Sequence, residues 1–179
     1  KFIYKLTNTP KYGPRSIEII FALKNYYLNY LNGRVDKLTT IAEFGVAEGE
    51  GLRQLAILTS NFFALNKADP PTIYGFDSFE GMHDSDHPAD VGTWEKGDYP
   101  GDKEILETFF HSNNMHNVKL IKGYFNKTLN DIEDSFCPQF ILIDCDYYTS
   151  TLDIFVNLKN KLQSGTLIYF DDLGTNFYN

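Results

Sequence analysis

Thiol chemistry is almost absent from this sequence, which has two cysteines, Cys137 and Cys145, the second inside an apolar run. The pair makes neither a disulfide framework nor a zinc-site spacing, and the expectation is a reduced, cytoplasmic protein. Basic residues are scarce too: 16 Lys and Arg stand against 24 Asp and Glu, a formal net charge of -8. That balance repels both a phosphate backbone and an anionic membrane surface, and no basic cluster offsets it, so neither nucleic acid nor a membrane is an expected partner. No apolar stretch approaches the roughly 20 residues needed to span a bilayer. The opening KFIYKLTNTP lacks the apolar segment of a signal peptide. A P-loop, a Ser-His-Asp order and a Y-x-x-x-K helix are all missing, which removes the parts of a kinase, a hydrolase and a Tyr-Lys oxidoreductase.

What is present is enough for a core: 42% of the 179 residues are hydrophobic and 16% aromatic. That length suits one domain over residues 1–179. Apolar runs at Ile41 (IAEFGV), Thr72 (TIYGFDSF), Val118 (VKLIKGYF), Phe140 (FILIDCD) and Thr166 (TLIYFDD) read as strands. Helical spacing falls between them at Gly51 to Asn66, Asp102 to Ser112, Lys127 to Ser135 and Thr149 to Leu162. A further helix is expected from Arg15 to Leu31, opened by Pro14 and closed by Asn32-Gly33. Strand and helix alternate, and the last two strands are apolar at consecutive positions. Both features predict an α/β, Rossmann-like doubly wound parallel sheet with helices on both faces. Glu80 to Gly101 has no periodicity and reads as a long surface loop, either a substrate lid or a passive insertion.

The chemistry-bearing residues gather where strands end. EFGVAEGEG leaves the first strand and enters a helix, its glycines allowing a tight turn and a close ligand approach. It is not G-x-G-x-x-G, and Glu48 and Glu50 would meet a pyrophosphate with negative charge, so a ligand with a cationic end suits it better. Asp77, ending the second strand, can accept hydrogen bonds from a ribose diol, although an Asp there also forms turns. The fourth and fifth strands end in Asp144 and Asp146 and in Asp171 and Asp172. Four carboxylates at one sheet edge call for a cation, and oxygen-only donors select Mg²⁺ before Ca²⁺ or Mn²⁺. Capping of the following helices and turns is the competing explanation. His83 and His87 lie in the long loop, within reach of a substrate or as exposed side chains; His111 and His116 read as surface residues. Trp94 either stacks on a substrate ring or anchors the loop.

Taken in order, EFGVAEG, YGFDSFEGM, GTWEKGDYPG, LIKGYFNKTL, LIDCDYYTSTLDIF and IYFDDLG resemble the macrocin O-methyltransferase family over Ile41 to Gly174. The resemblance implies a class I methyltransferase fold and an S-adenosylmethionine- and Mg²⁺-dependent transfer of methyl to a sugar hydroxyl. It carries the cofactor site onto Glu43, Gly45, Val46, Gly49 and Gly51, onto Asp77, Ser78 and Phe79, and onto Gly123, Phe125 and Asp144. The metal falls on Asp144, Asp171 and Asp172. Similar catechol-type enzymes carry a lysine base three residues beyond the first metal acid, where this chain has Tyr147. Asp146 is therefore the first candidate base, followed by His83 and His87. Methyltransferases of this class add an antiparallel strand pair after the fifth strand, and that pair is not expected within a sequence ending at Asn179. The expected partner is a small hydroxyl-bearing acceptor, with a homo-oligomer left open. An NAD(P)-dependent oxidoreductase or epimerase, and a non-catalytic nucleoside-binding domain, are the rival readings.

Overall fold

A computed structural model describes residues 16–92 and 94–171. The elements run α1 (Ser16–Leu31), β1 (Thr40–Phe44), α2 (Glu50–Leu65), β2 (Thr72–Asp77), α3 (Lys103–Ser112), β3 (Val118–Lys122), α4 (Phe125–Asp131), β4 (Phe140–Ile143), α5 (Tyr148–Leu158) and β5 (Leu167–Phe170). All neighbouring strands are parallel, in the order β3-β2-β1-β4-β5. The expected Rossmann-like α/β sheet is thus present. The order reverses between β1 and β4, and ligands of such sheets bind outside the carboxyl ends of the strands at that point.

Strand side chains alternate between two cores. Ile41, Ile73, Phe140 and Leu142 pack with α1, α2 and α3 on one face. Ala42, Phe44, Phe76, Ile141 and Ile143 pack with Leu129 of α4 and Ile154 and Leu158 of α5 on the other. Burial on both faces explains the unbroken apolar run of β4, whose four residues are all buried. Each such side chain contributes about 1.5–3 kcal/mol relative to exposure.

The helix ends follow local chemistry. Asp102 caps α3, its carboxylate accepting from the Ile105 amide. α2 begins one residue before the predicted Gly51, because Gly49, with φ +80°, turns the chain into it. α4 starts earlier and ends earlier than the predicted Lys127–Ser135 helix, and α5 stops at Leu158 rather than Leu162. Arg15, Asp172 and the chain after it lie outside the described residues, so the expectation about a C-terminal strand pair falls there too.

Below the sheet, Gln139 joins the entries to β1 and β4. Its side-chain oxygen accepts from the Thr39 and Thr40 amides, both at 2.9 Å, and its amide donates to the Lys37 carbonyl at 3.1 Å. At the opposite end, the ladder continues one residue past the strands. Gly45 N–H donates to Phe76 O, Asp144 N–H to Phe44 O, Asp171 N–H to Ile143 O and Gly123 N–H to Asp77 O. Four residues singled out from sequence therefore sit level along one edge.

Candidate active site

Because Ile143 pairs with Phe170, the next residues, Asp144 and Asp171, leave neighbouring parallel strands side by side. Both line a cavity of about 720 Å³ at the carboxyl edge, together with Glu43, Gly45, Val46, Gly51, Asp77, Ser78, Gly123 and Phe125. Asp146 and His83 line it as well. The structure thus brings together most of the expected set from separate strand ends. Gly49 and Phe79 are not in the lining. Gly49 instead packs against Leu106, and Phe79, 7% exposed, belongs to the core on the α2 and α3 side.

The glycine turn is held from the second strand. Asp77 Oδ2 accepts from the amides of Val46, at 2.7 Å, and Ala47, at 2.9 Å, while Oδ1 accepts from the Phe79 amide at 2.7 Å. A carboxylate has about four lone-pair sites, so three backbone donors leave room for roughly one more. The turn-forming role weighed for this residue is present in the geometry. Ser78 makes a turn of its own, its hydroxyl accepting from the Glu80 amide and donating to Gly81 O. Ala47, Phe79, Tyr99 and Asp146 all adopt positive φ without being glycine, at 46°, 57°, 54° and 59°. Such backbone costs about 1–3 kcal/mol per residue and gathers where a site requires a fixed shape.

Glu43 is 1% exposed and still reaches the cavity lining. Asp171 accepts from the Tyr169 hydroxyl at 3.3 Å. Asp144 and Asp171 offer hard oxygens at adjoining strand ends, the donor type that Mg²⁺ takes, so the pair fits part of such a site. Among the described residues no group of three or more His, Cys, Asp or Glu side chains is gathered to hold a metal. The expected third ligand, Asp172, lies outside them.

The long loop between β2 and α3 forms the outer wall with Met82, His83, Trp94 and Tyr99. His83 stands edge-on to Tyr147 at 5.2 Å and to Tyr124 at 6.1 Å. His87 is outside the lining: its ring stacks on Tyr148 at 5.1 Å and its Nδ1 accepts from the Ala89 amide. His111 and His116 pair with each other away from the cavity. Tyr147, in the place of the catechol-type lysine, is 3% exposed and donates its hydroxyl to Trp94 O at 3.3 Å. Burial, followed by the charges of Asp90, Asp98, Asp84 and Asp146, raises its pKa above 10.0. A phenol held neutral in this way is no general base at neutral pH. Gln54, Tyr124, Ser150 and Asp153 also line the cavity. Tyr124, Ser150 and Asp153 lie within LIKGYFNKTL and LIDCDYYTSTLDIF, but neither stretch assigned them a site role, and for Gln54 no motif did; the tertiary fold brings all four there.

The macrocin O-methyltransferase model matches residues 38–177. The chain belongs to the macrocin O-methyltransferase family. No curated protein sequence matches it. Among solved structures, CalS11, a calicheamicin methyltransferase, is 22% identical with a TM-score of 0.68, the match covering 97% of this chain and 72% of that one. The O-methyltransferase NovP is 20% identical with a TM-score of 0.61, over 87% of this chain and 64% of NovP. An S-adenosylhomocysteine-bound methyltransferase of Podospora anserina, PaMTH1, is 16% identical with a TM-score of 0.52, over 96% and 59% of the two chains. At these identities the likeness concerns the fold. This macrocin O-methyltransferase relative is accordingly an O-methyltransferase by family, and its described helices include none long and apolar enough to cross a membrane.

Proposed function

We propose that this protein transfers the methyl group of S-adenosylmethionine to a hydroxyl of a sugar or glycosylated small molecule, assisted by Mg²⁺. The observation that carries the reading is the shared edge: Asp144 and Asp171 leave adjacent strands into the cavity that Glu43, Gly45 and Asp77 also line. CalS11 has been described as a TDP-rhamnose 3'-O-methyltransferase, which agrees with a sugar acceptor.

In this reading the methyl donor lies along β1 and β2. Its amino acid end faces Glu43 and the Gly45 turn, its ribose meets the remaining acceptor capacity of Asp77, and its base lies by Gly123 and Phe125. The acidic turn favours a cationic ligand over a pyrophosphate. Asp144 and Asp171, with Asp172, would hold the divalent ion, which when bound lowers the pKa of a coordinated hydroxyl and offsets the clustered acids.

Methyl transfer forms an O–C bond as the C–S bond breaks, and the acceptor hydroxyl must lie in line with that bond. Trp94, Tyr99 and Tyr124 supply broad faces for the acceptor, so that the outer wall orients it. Asp146 takes the hydroxyl proton. It is exposed to the cavity and sits just beyond Asp144 on the same strand end. His83 is the second group within the wall.

Calorimetric titration with S-adenosylmethionine and with NAD⁺, each with and without Mg²⁺, tests the cofactor. Binding of S-adenosylmethionine alone is expected. Binding of NAD⁺ in its place would overturn the reading, and S-adenosylmethionine binding without methyl transfer to any hydroxyl would leave only the nucleoside-binding alternative.

A further inference from the structure

We propose that Asp90 is the positioning residue that fastens the outer wall across the acceptor side of the site, by capping the helix that follows the catalytic strand end. The loop around it is open to solvent: Val91 is 61% exposed, and Ala89 and Gly92 are exposed too. Asp90 itself is 1% exposed. A buried carboxylate is costly unless its oxygens are satisfied, and these are. Oδ1 accepts from the Tyr148 amide at 2.8 Å, and Oδ2 accepts from the Thr149 hydroxyl at 2.6 Å, the Ser85 hydroxyl at 3.0 Å and the Thr149 amide at 3.4 Å.

The amides it receives are first-turn donors of α5, which need partners from outside the helix. The residue at the N-cap position, Tyr147, makes no side-chain cap. Asp90 supplies the missing cap from 58 residues earlier in the chain, and its negative charge suits the helix start. The contact is reinforced on both sides, by Tyr147 bonding Trp94 O and by His87 stacking on Tyr148.

The loop is closed at its base, with Met82 N–H donating to Asp98 O and Gly97 N–H to Met82 O, each at 2.8 Å, which ties its two ends into one unit. Asp90 fastens the far side of that unit. Met82 and His83 precede it and Trp94 and Tyr99 follow it, all four lining the cavity, while Asp90 does not. The segment it grips directly follows Asp144 and Asp146. Asp90 therefore sets the separation between the wall and the acid edge without touching substrate. Its effect on acceptor binding rests on the proposed methyltransferase reading, whereas the latch itself does not.

Trp94 is the sole tryptophan, so its emission reports the wall directly. Asp90→Ala, Asp90→Asn and Thr149→Val are compared by Trp94 emission, limited proteolysis within 82–98, S-adenosylmethionine affinity, and methyl transfer to methyl rhamnoside and dTDP-rhamnose. For Asp90→Ala, a red-shifted emission, loop cleavage about tenfold faster and an acceptor KM about tenfold higher are expected, with S-adenosylmethionine affinity within about twofold. Asp90→Asn, which keeps an acceptor for the Tyr148 amide, should recover part of each change. Thr149→Val keeps the carboxylate, and a smaller shift of the same kind decides the matter if Asp90→Ala does not fold. Unchanged emission and cleavage would overturn the latch, as would an equal loss of donor and acceptor affinity. If the wild type methylates neither probe yet Asp90→Ala still frees Trp94, the latch stands and the acceptor assignment fails.

Discussion

Gly45 and Asp144 touch backbone to backbone: a Cβ on Gly45 would stand 1.7 Å from the Asp144 carbonyl oxygen. The glycine turn after β1 and the strand-end acid proposed to hold the metal therefore share one contact, made possible by a residue without a side chain whose φ is +88°. Gly45→Ala must move one of them, in addition to about 1–3 kcal/mol of backbone strain. A displacement near 1 Å can cost about a hundredfold in rate. The expected result is a folded, less stable protein with weakened S-adenosylmethionine affinity and methyl transfer reduced at least to that extent, measured by calorimetry and steady-state kinetics.

Asp144 and Asp171 are expected to divide catalysis from binding. Replacing either by Asn, or adding a chelator, should lower kcat about a thousandfold or more, equivalent to about 4 kcal/mol of barrier. S-adenosylmethionine affinity should change only a few-fold, because Glu43 and Asp77 remain. Full activity in the presence of excess chelator would sink the metal-assisted reaction and leave the donor site untouched.

Much of this edge was legible in the sequence because parallel strands declare themselves twice, by unbroken apolar runs and by the acids that end them. FILIDCD and TLIYFDD place Asp144 and Asp171 correctly on spacing alone, since the last apolar residue of each marks where the sheet ends. Phe79 shows the limit: it adjoins two expected site residues, yet its positive φ turns the ring into the core. Asp90 was illegible for a different reason. Its helix partners lie 58 and 59 residues away, and the one nearby donor, the Ser85 hydroxyl, does not separate a buried loop aspartate from its exposed neighbours in sequence. Gln139 is similar, a polar residue before a strand whose value lies in amides 99 and 100 residues distant.

Acid and alkali should release the wall from opposite sides. Burial alone would raise the Asp90 pKa, but the hydrogen bonds from Thr149, Ser85 and the Tyr148 and Thr149 amides outweigh it and hold the carboxyl below its ordinary 3.8. A depressed carboxyl contributes stability that is full above the unfolded value and is lost as pH falls through the folded one. Tyr147 is raised, chiefly by burial, so its contribution declines as pH climbs past 10.0. Trp94 emission should therefore stay level between these ranges, shift below about pH 4 and shift again above about pH 10. In Asp90→Asn the acid shift should disappear and the alkaline one persist.

Asp146 separates backbone from side-chain roles within one residue. Its φ of 59° is left-handed, a conformation that Asn and Gly accept more readily than most residues. Asp146→Asn and Asp146→Gly should both fold, the glycine variant with melting stability equal to or above the wild type. Neither can accept a proton from the acceptor hydroxyl, so both should lose about a hundredfold or more in kcat while keeping donor affinity. If His83 were the base instead, these two variants would retain activity and His83→Asn would lose it. The direct comparison of the three, with Mg²⁺ and S-adenosylmethionine saturating, assigns the proton to one side chain, because the wall histidine and the strand-end acid approach the acceptor from different elements.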